Sequence, residues 1–265
     1  MSIPGVRYIQ QGKCKLALID SLSNEFKLLI RSQLTGIFWG DGEVSDIGYT
    51  YQETLAEFLE RYNSKAEETK KGMIGELIAN VLISNYFDDF SIVSVMRNIE
   101  ERSIKKGFDI IYFNYSDTSI WYSEVKSGEK DGGGRNTSSK QNEILYRRAH
   151  ADMRTKLNSN RVSLWDLAIS EAKLSIEDPD NRNEVRRVLR EDRNLIYNND
   201  NSHLAKRVIL VSVLFADLSD EVDMASLVET YSSRDLIGDF DDIIAVSIQK
   251  NTYNAVVSFL GSEII

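Results

Sequence analysis

The sequence predicts an α/β (α+β) fold: a central mixed sheet flanked by helices, with a long helical insertion before the fourth core strand. Three observations carry this. A helix-period stripe over residues 66–86 precedes three short strand-like runs. A long stretch of helical pattern follows from residue 138. The run Val208 to Phe215 is then apolar enough to be a strand buried on both faces.

Before residue 64 the pattern is mixed, with a short apolar run at Leu16 to Ile19 and helical spacing at Phe26, Leu29 and Ile30. This reads as an N-terminal extension packed on the core (1–63). From Ala66 to Tyr86, the residues Ile74, Leu77, Ile78, Val81 and Leu82 recur at i, i+3, i+4, i+7 and i+8, a continuous buried helical stripe. Phe90 to Val95, Gly107 to Asn114 and Ser119 to Ser127 read as strands. The polar turn Tyr115-Ser116-Asp117-Thr118 joins the last two into a hairpin. After the glycine-rich loop from Gly128 to Asn136, helices are expected over Ser138 to Asn158, Ser163 to Arg193 and Ala225 to Leu236. Two closing strands are expected at Ile243 to Ile248 and Ala255 to Leu260, so residues 64–265 form one domain with a helical segment (138–195) and C-terminal strands (243–260).

The composition, 42% hydrophobic and 28% charged over 265 residues, is that of a chain able to bury a core. No apolar run is long enough for a transmembrane helix, and the first residues lack a secretory pattern, so the expected location is cytoplasmic. With one cysteine (Cys14) there is no intrachain disulfide and no cysteine-based zinc site, and the two distant histidines (His150, His203) match no H-x-x-x-H spacing. Any metal chemistry falls to hard, oxygen-liganded ions. The net charge of −9 is segregated: residues 130–161 hold eight Lys/Arg against three Asp/Glu, and residues 217–242 hold nine Asp/Glu against Arg234. Only a contacting face has to be basic for a polyanion to bind.

The hairpin carries the chemistry. Alternation puts Tyr122, Glu124 and Lys126 on one face of their strand. A four-residue turn pairs Asn114 with Ser119, and counting back along both strands sets Asp109 opposite Glu124. Two carboxylates so placed repel each other and call for a cation, and a divalent ion with one or two carboxylate ligands answers that need. Lys126 on the same face can stabilise charge developing on a phosphate. Glu76, on the first long helix, is a third acid within reach, and Gly75 beside it lets helix and sheet approach closely.

Gly107-Phe108-Asp109 with Glu124-Val125-Lys126, preceded by Gly75-Glu76, resembles the PD-(D/E)xK nuclease superfamily, with Phe108 where that motif usually has proline. The resemblance implies a restriction-endonuclease-like core over Ala66 to Phe215, with Asp109, Glu124 and Glu76 holding Mg2+ (or Mn2+) and Lys126 assisting the attacking water. The helix after the third strand often adds a lysine or glutamine. Lys140 and Gln141 are the candidates, although Gln141 and Tyr146 are one residue too far apart for a Gln-x-x-x-Tyr pattern. Lys130, Arg135, Lys140, Gln141, Arg147, Arg148, Arg154 and Lys156 form a basic set for phosphate contacts. The words Gly75-Glu76-Leu77-Ile78-Ala79-Asn80, Gly107-Phe108-Asp109-Ile110 and Glu124-Val125-Lys126-Ser127 are similar to those of the HamA family, nuclease subunits of bacterial Hachiman anti-phage systems. That resemblance implies DNA as substrate and a superfamily 2 helicase subunit (HamB-like) that restrains the nuclease until DNA is sensed. Two other readings fit the same residues: a non-catalytic nucleic-acid- or helicase-binding subunit, and a stand-alone restriction-like endonuclease.

Overall fold

The computed structural model describes residues 2–42, 44, 48–97, 107–130, 136–159, 161–198, 206–236, 238–251 and 253–264. Among these, seven strands form one mixed sheet in the order β1-β2-β7-β6-β5-β4-β3. They are β1 (Val6–Gln11), β2 (Cys14–Ile19), β3 (Phe90–Ile92), β4 (Ile110–Asn114), β5 (Ser119–Glu129), β6 (Arg207–Phe215) and β7 (Asp242–Lys250). The helices are α1 (Asn24–Trp39), α2 (Tyr51–Asn63), α3 (Glu67–Tyr86), α4 (Ser138–Asn158), α5 (Val162–Ser175), α6 (Pro179–Tyr197), α7 (Met224–Tyr231) and α8 (Asn254–Ser262). None is long and apolar enough to cross a membrane.

The strands β5, β6, β7 and β2 run parallel, while β1 and the β3–β4–β5 meander pair antiparallel. A parallel block needs cover on both faces, which is why β6 reads as an almost unbroken apolar run. One core lies beneath α1, α2, α3 and α8 and takes Trp121 and Val125 from β5. The other lies beneath α4 to α7 and takes Ile120 and Tyr122 from β5. Glu124 and Lys126 share the Tyr122 face, the one that α4 covers, by the two-residue period. The N-terminal residues supply β1, β2, α1 and α2 to this same sheet and core.

Three expected elements differ. The stretch Ser163 to Arg193 is two helices, not one: Asp178 caps α6 by accepting from the Asn181 N–H at 2.8 Å, with Pro179 in the first turn. Ala255 to Leu260 is helical, not a strand. Its buried residues Val256, Phe259 and Leu260 follow the i, i+3, i+4 spacing, which decides the matter where apolar content cannot. The helix expected to reach Leu236 ends at Tyr231.

Gly75 is where α3 meets the sheet. A Cβ built there would lie 1.8 Å from Ser127 Oγ and 2.9 Å from Ser127 Cβ. Gly75→Ala is therefore expected to destabilise the fold by about 1–3 kcal/mol through overpacking. Pairing it with Ser127→Gly should restore most of the loss in urea denaturation. Equal losses in the single and double variants would refute the contact as the cause.

Candidate active site

The hairpin register is the expected one: Asn114 pairs with Ser119 and Ile110 with Ser123. Asn114 Oδ1 accepts from the Ser116 N–H at 2.9 Å, and Thr118 takes the positive φ that closes the turn. One rung beyond Ile110–Ser123, Asp109 stands at the mouth of β4 and its Oδ2 accepts from the Val125 N–H at 2.8 Å. Phe108 explains how that position is held without a proline. Its ring is fully buried, 4.4 Å from Tyr122 and 5.4 Å from Trp165 between centroids, and it pins the chain just ahead of Asp109.

Glu124 is the centre of the site and only 1% exposed. Its Oε1 accepts from Lys126 Nζ at 2.7 Å and its Oε2 from Lys156 Nζ at 2.5 Å. Lys156 also donates to Asp109 Oδ1 at 3.1 Å, so one ammonium sits between both carboxylates. Lys126 pairs in turn with Asp152 Oδ2 at 2.7 Å. The charges thus alternate along Asp152, Lys126, Glu124, Lys156 and Asp109. Burial, reinforced by the Asp109 charge, pushes the Glu124 carboxyl above its ordinary value against the pull of both lysines. Burial also opposes the charge of Lys156, but Asp109 and Glu124 outweigh it and hold that ammonium protonated well above the usual lysine range. Lys126 is raised in the same way, with burial overcome by Glu124 and Asp152.

Asp152 and Lys156 are presented by α4 from neighbouring turns, four residues apart. The helix is fixed to the sheet by a buried polar contact: Asn142 Oδ1 accepts from Ser212 Oγ at 2.6 Å and Ser247 Oγ at 2.5 Å. Leu145, Tyr146, Ala149, Met153 and Leu157 continue the buried face of α4. In the sequence Lys156 stands only among the phosphate-contacting residues, and nothing singles out Asp152. Both lie more than twenty residues beyond β5, and only the closure of α4 onto the sheet reveals them. The signal available in the sequence is the Asp-x-x-x-Lys spacing.

The structure brings Asp109, Glu124 and Lys126 together and does not group Glu76 with them. Glu76 is half-buried on α3, the layer on the opposite side of the sheet from α4. Among the described residues no three aspartate, glutamate, histidine or cysteine side chains group closely enough to hold a metal ion. Two hard carboxylates converging on one cation nevertheless fit a divalent ion that takes one or two protein ligands and fills its remaining positions with water and substrate. Tyr122 is fully buried, bonded to Trp165 and Asp192, and so is not presented to a substrate.

The basic set divides. Lys140 is exposed and pairs with Glu143 at 2.7 Å, and Gln141 accepts from Asn136, so neither is engaged with the carboxylates. Lys130 pairs with Asp220, Arg147 with Glu143 and Asp235, and Arg154 with Asp239 at 3.4 Å. The acidic stretch therefore lies along the basic helix. Arg148 is exposed on α4. Arg135 and the glycines at 132–134 fall outside the described residues, as does His203.

His150 is buried, 3.4 Å from Asp239, with Arg154 and Asp235 also acting on it. Burial pushes its imidazole below the ordinary value, against the opposing pull of Asp239. The folded chain thus favours neutral His150. Its stabilising effect is complete above an unfolded pKa of about 6.5 and is lost as pH falls through the lower folded value. Melting midpoints measured from pH 7.5 to pH 5 should fall more steeply for wild type than for His150→Gln. Parallel curves would count against this role.

The HamA family model matches residues 13–260, nearly the whole chain. No curated protein matches it.

Proposed function

This chain belongs to the HamA family, the Hachiman defence protein, and on that premise we propose that it is a metal-dependent nuclease that hydrolyses DNA phosphodiester bonds. The observation that carries the reading is the convergence of Asp109, Glu124 and Lys126 at the open end of the β4–β5 hairpin.

Asp109 and Glu124 would hold Mg2+ or Mn2+, which would supply the Lewis acidity for attack on the phosphodiester. Each residue around them then has a task. The Val125 N–H holds the Asp109 carboxylate by donating to Oδ2, while Oδ1 accepts from Lys156 Nζ, so Asp109 is fixed where it would help hold the ion. Lys126, kept charged by Glu124 and Asp152, presents an ammonium to the phosphate as negative charge accumulates there. An open groove of about 630 Å3 runs along the last turns of α4, lined by Arg154, Thr155, Asn158 and the acid Asp235, so a polyanion following it would have to displace the acidic partners of the basic helix. A superfamily 2 helicase is the proposed partner.

Cleavage of plasmid and linear DNA by the purified chain in Mg2+ or Mn2+ tests this, with EDTA, Glu124→Ala and Lys126→Ala alongside, and a repeat with the helicase partner. Loss of cleavage in both variants and in EDTA supports the nuclease. A second reading, a non-catalytic subunit that retains the fold, is favoured by one observation: Lys126 and Lys156 already neutralise the carboxylates. Silence in every metal, with and without the helicase, together with no metal binding by calorimetry, would select it.

A further inference from the structure

Resting on the metal-nuclease reading, one feature of the site goes further than the motif. The two carboxylates that would hold the metal are already bridged by an ammonium on another element. Lys156 Nζ lies 3.1 Å from Asp109 Oδ1 and 2.5 Å from Glu124 Oε2. An ammonium and a divalent ion cannot both occupy that position, because each needs the same oxygens and they repel each other. We propose that Lys156 is a built-in competitor for the metal position: it bridges Asp109 and Glu124 in the metal-free site and is expelled when a divalent ion enters.

Three observations support this. The first is the placement of the residues. Lys156 comes from α4 whereas both carboxylates come from the hairpin, so the ammonium can withdraw without disturbing the acids. The second is compensation. Glu124 is buried, and a buried carboxylate facing a second one is costly without a cation. Lys156 supplies that cation during folding, when no metal need be present. The third is that the lysine has a way out, since its side chain keeps 25% of its exposure, whereas that of Glu124 keeps 1%. Lys126 has an alternative anion in Asp152 and so remains anchored when Lys156 leaves. The expelled ammonium adds a positive charge at the lip of the site, where a phosphate backbone would approach.

Two experiments on the full chain test this. Calorimetric titration with Mn2+ should give a dissociation constant at least about tenfold lower for Lys156→Gln than for wild type, since a competing charge is gone. The melting midpoint of the metal-free variant should be lower than that of wild type, and its rise on adding Mn2+ larger. Equal or weaker Mn2+ binding by Lys156→Gln would overturn the proposal while leaving the metal site intact. An absence of Mn2+ binding in both proteins would overturn the nuclease reading as well, which separates the two failures.

The second experiment needs no substitution and so does not depend on the variant folding. Wild-type protein is labelled with an amine-reactive acetylating reagent, with and without Mn2+, and Lys156 is followed by mass spectrometry with Lys140 as the internal reference. Labelling of Lys156 should rise severalfold in Mn2+ while that of Lys140 stays constant. Unchanged or reduced labelling of Lys156 at saturating Mn2+ would refute its expulsion.

Discussion

If the chain is the proposed nuclease, Glu124→Gln is expected to slow DNA cleavage at least about a thousandfold while the protein stays folded. The substitution keeps the volume of a side chain with almost no exposure, so packing is preserved, while the charge is lost and one of the two oxygens that accept from Lys126 and Lys156 becomes an amide donor. The neighbours that lose it still have partners: Lys156 retains Asp109, and Lys126 retains Asp152. Each ammonium keeps one carboxylate, which limits the penalty for breaking a buried pair to the contact with the new amide donor. What disappears is one of the two anionic ligands proposed for the divalent ion. The check is an initial-rate plasmid-nicking assay in Mg2+, with circular dichroism melts to show that both proteins are folded. Cleavage by the Glu124→Gln variant within about tenfold of wild type would remove Glu124 from the proposed mechanism.

Trp165→Ala is expected to cost about 3–5 kcal/mol of stability, among the largest losses of any single truncation in this core. Trp165 is fully buried, its Nε1–H donates to Tyr122 Oη at 3.0 Å, and its ring meets Phe108 edge-on. Truncation leaves a cavity beside Phe108, the residue that sets Asp109 in place, so the proposed cleavage, measured per folded molecule, should slow as well. Trp165→Phe keeps most of the volume and loses the hydrogen bond, and should cost about 1 kcal/mol. Urea denaturation gives both values. A loss below about 1 kcal/mol for Trp165→Ala would mean that the aromatic cluster collapses to fill the space and does not support the site.

Legibility in the sequence followed locality. The β4–β5 register could be derived because a four-residue turn and a two-residue period settle it, and Asp109 came out opposite Glu124 without reference to distant residues. The α3 and β6 segments were legible for a similar reason, as each carries its own period or run. The break before Pro179 had a sequence signal, the Asp178-Pro179 pair, but the helical pattern on either side masked it. For Ala255 to Leu260 the sequence holds the helical spacing of Val256, Phe259 and Leu260, but Val257 between them makes the run nearly continuous and hides it. Lys156 shows the deeper limit. On the helix alone it belongs to a basic surface, and its place between two carboxylates arises only when Asn142, Ser212 and Ser247 lock α4 across β6 and β7. The position of Glu76 on the far layer likewise depends on which face of the sheet α3 covers, which no spacing within α3 reveals.

The parallel pairing of β2 with β7, Cys14 against Ala245 and onward, also bears on how the chain is made. A ribosome releases β2 long before β7, with α1 to α7 and four strands between them. In the interval the β1–β2 hairpin carries an open edge of apolar residues, Leu16 to Ile19, that are completely covered in the finished sheet. Pairing across so long a separation is intrinsically slow, and an uncovered apolar edge is a template for the wrong partner. Yield in a host should therefore depend more on chaperone capacity and growth temperature than on the stability of the finished protein.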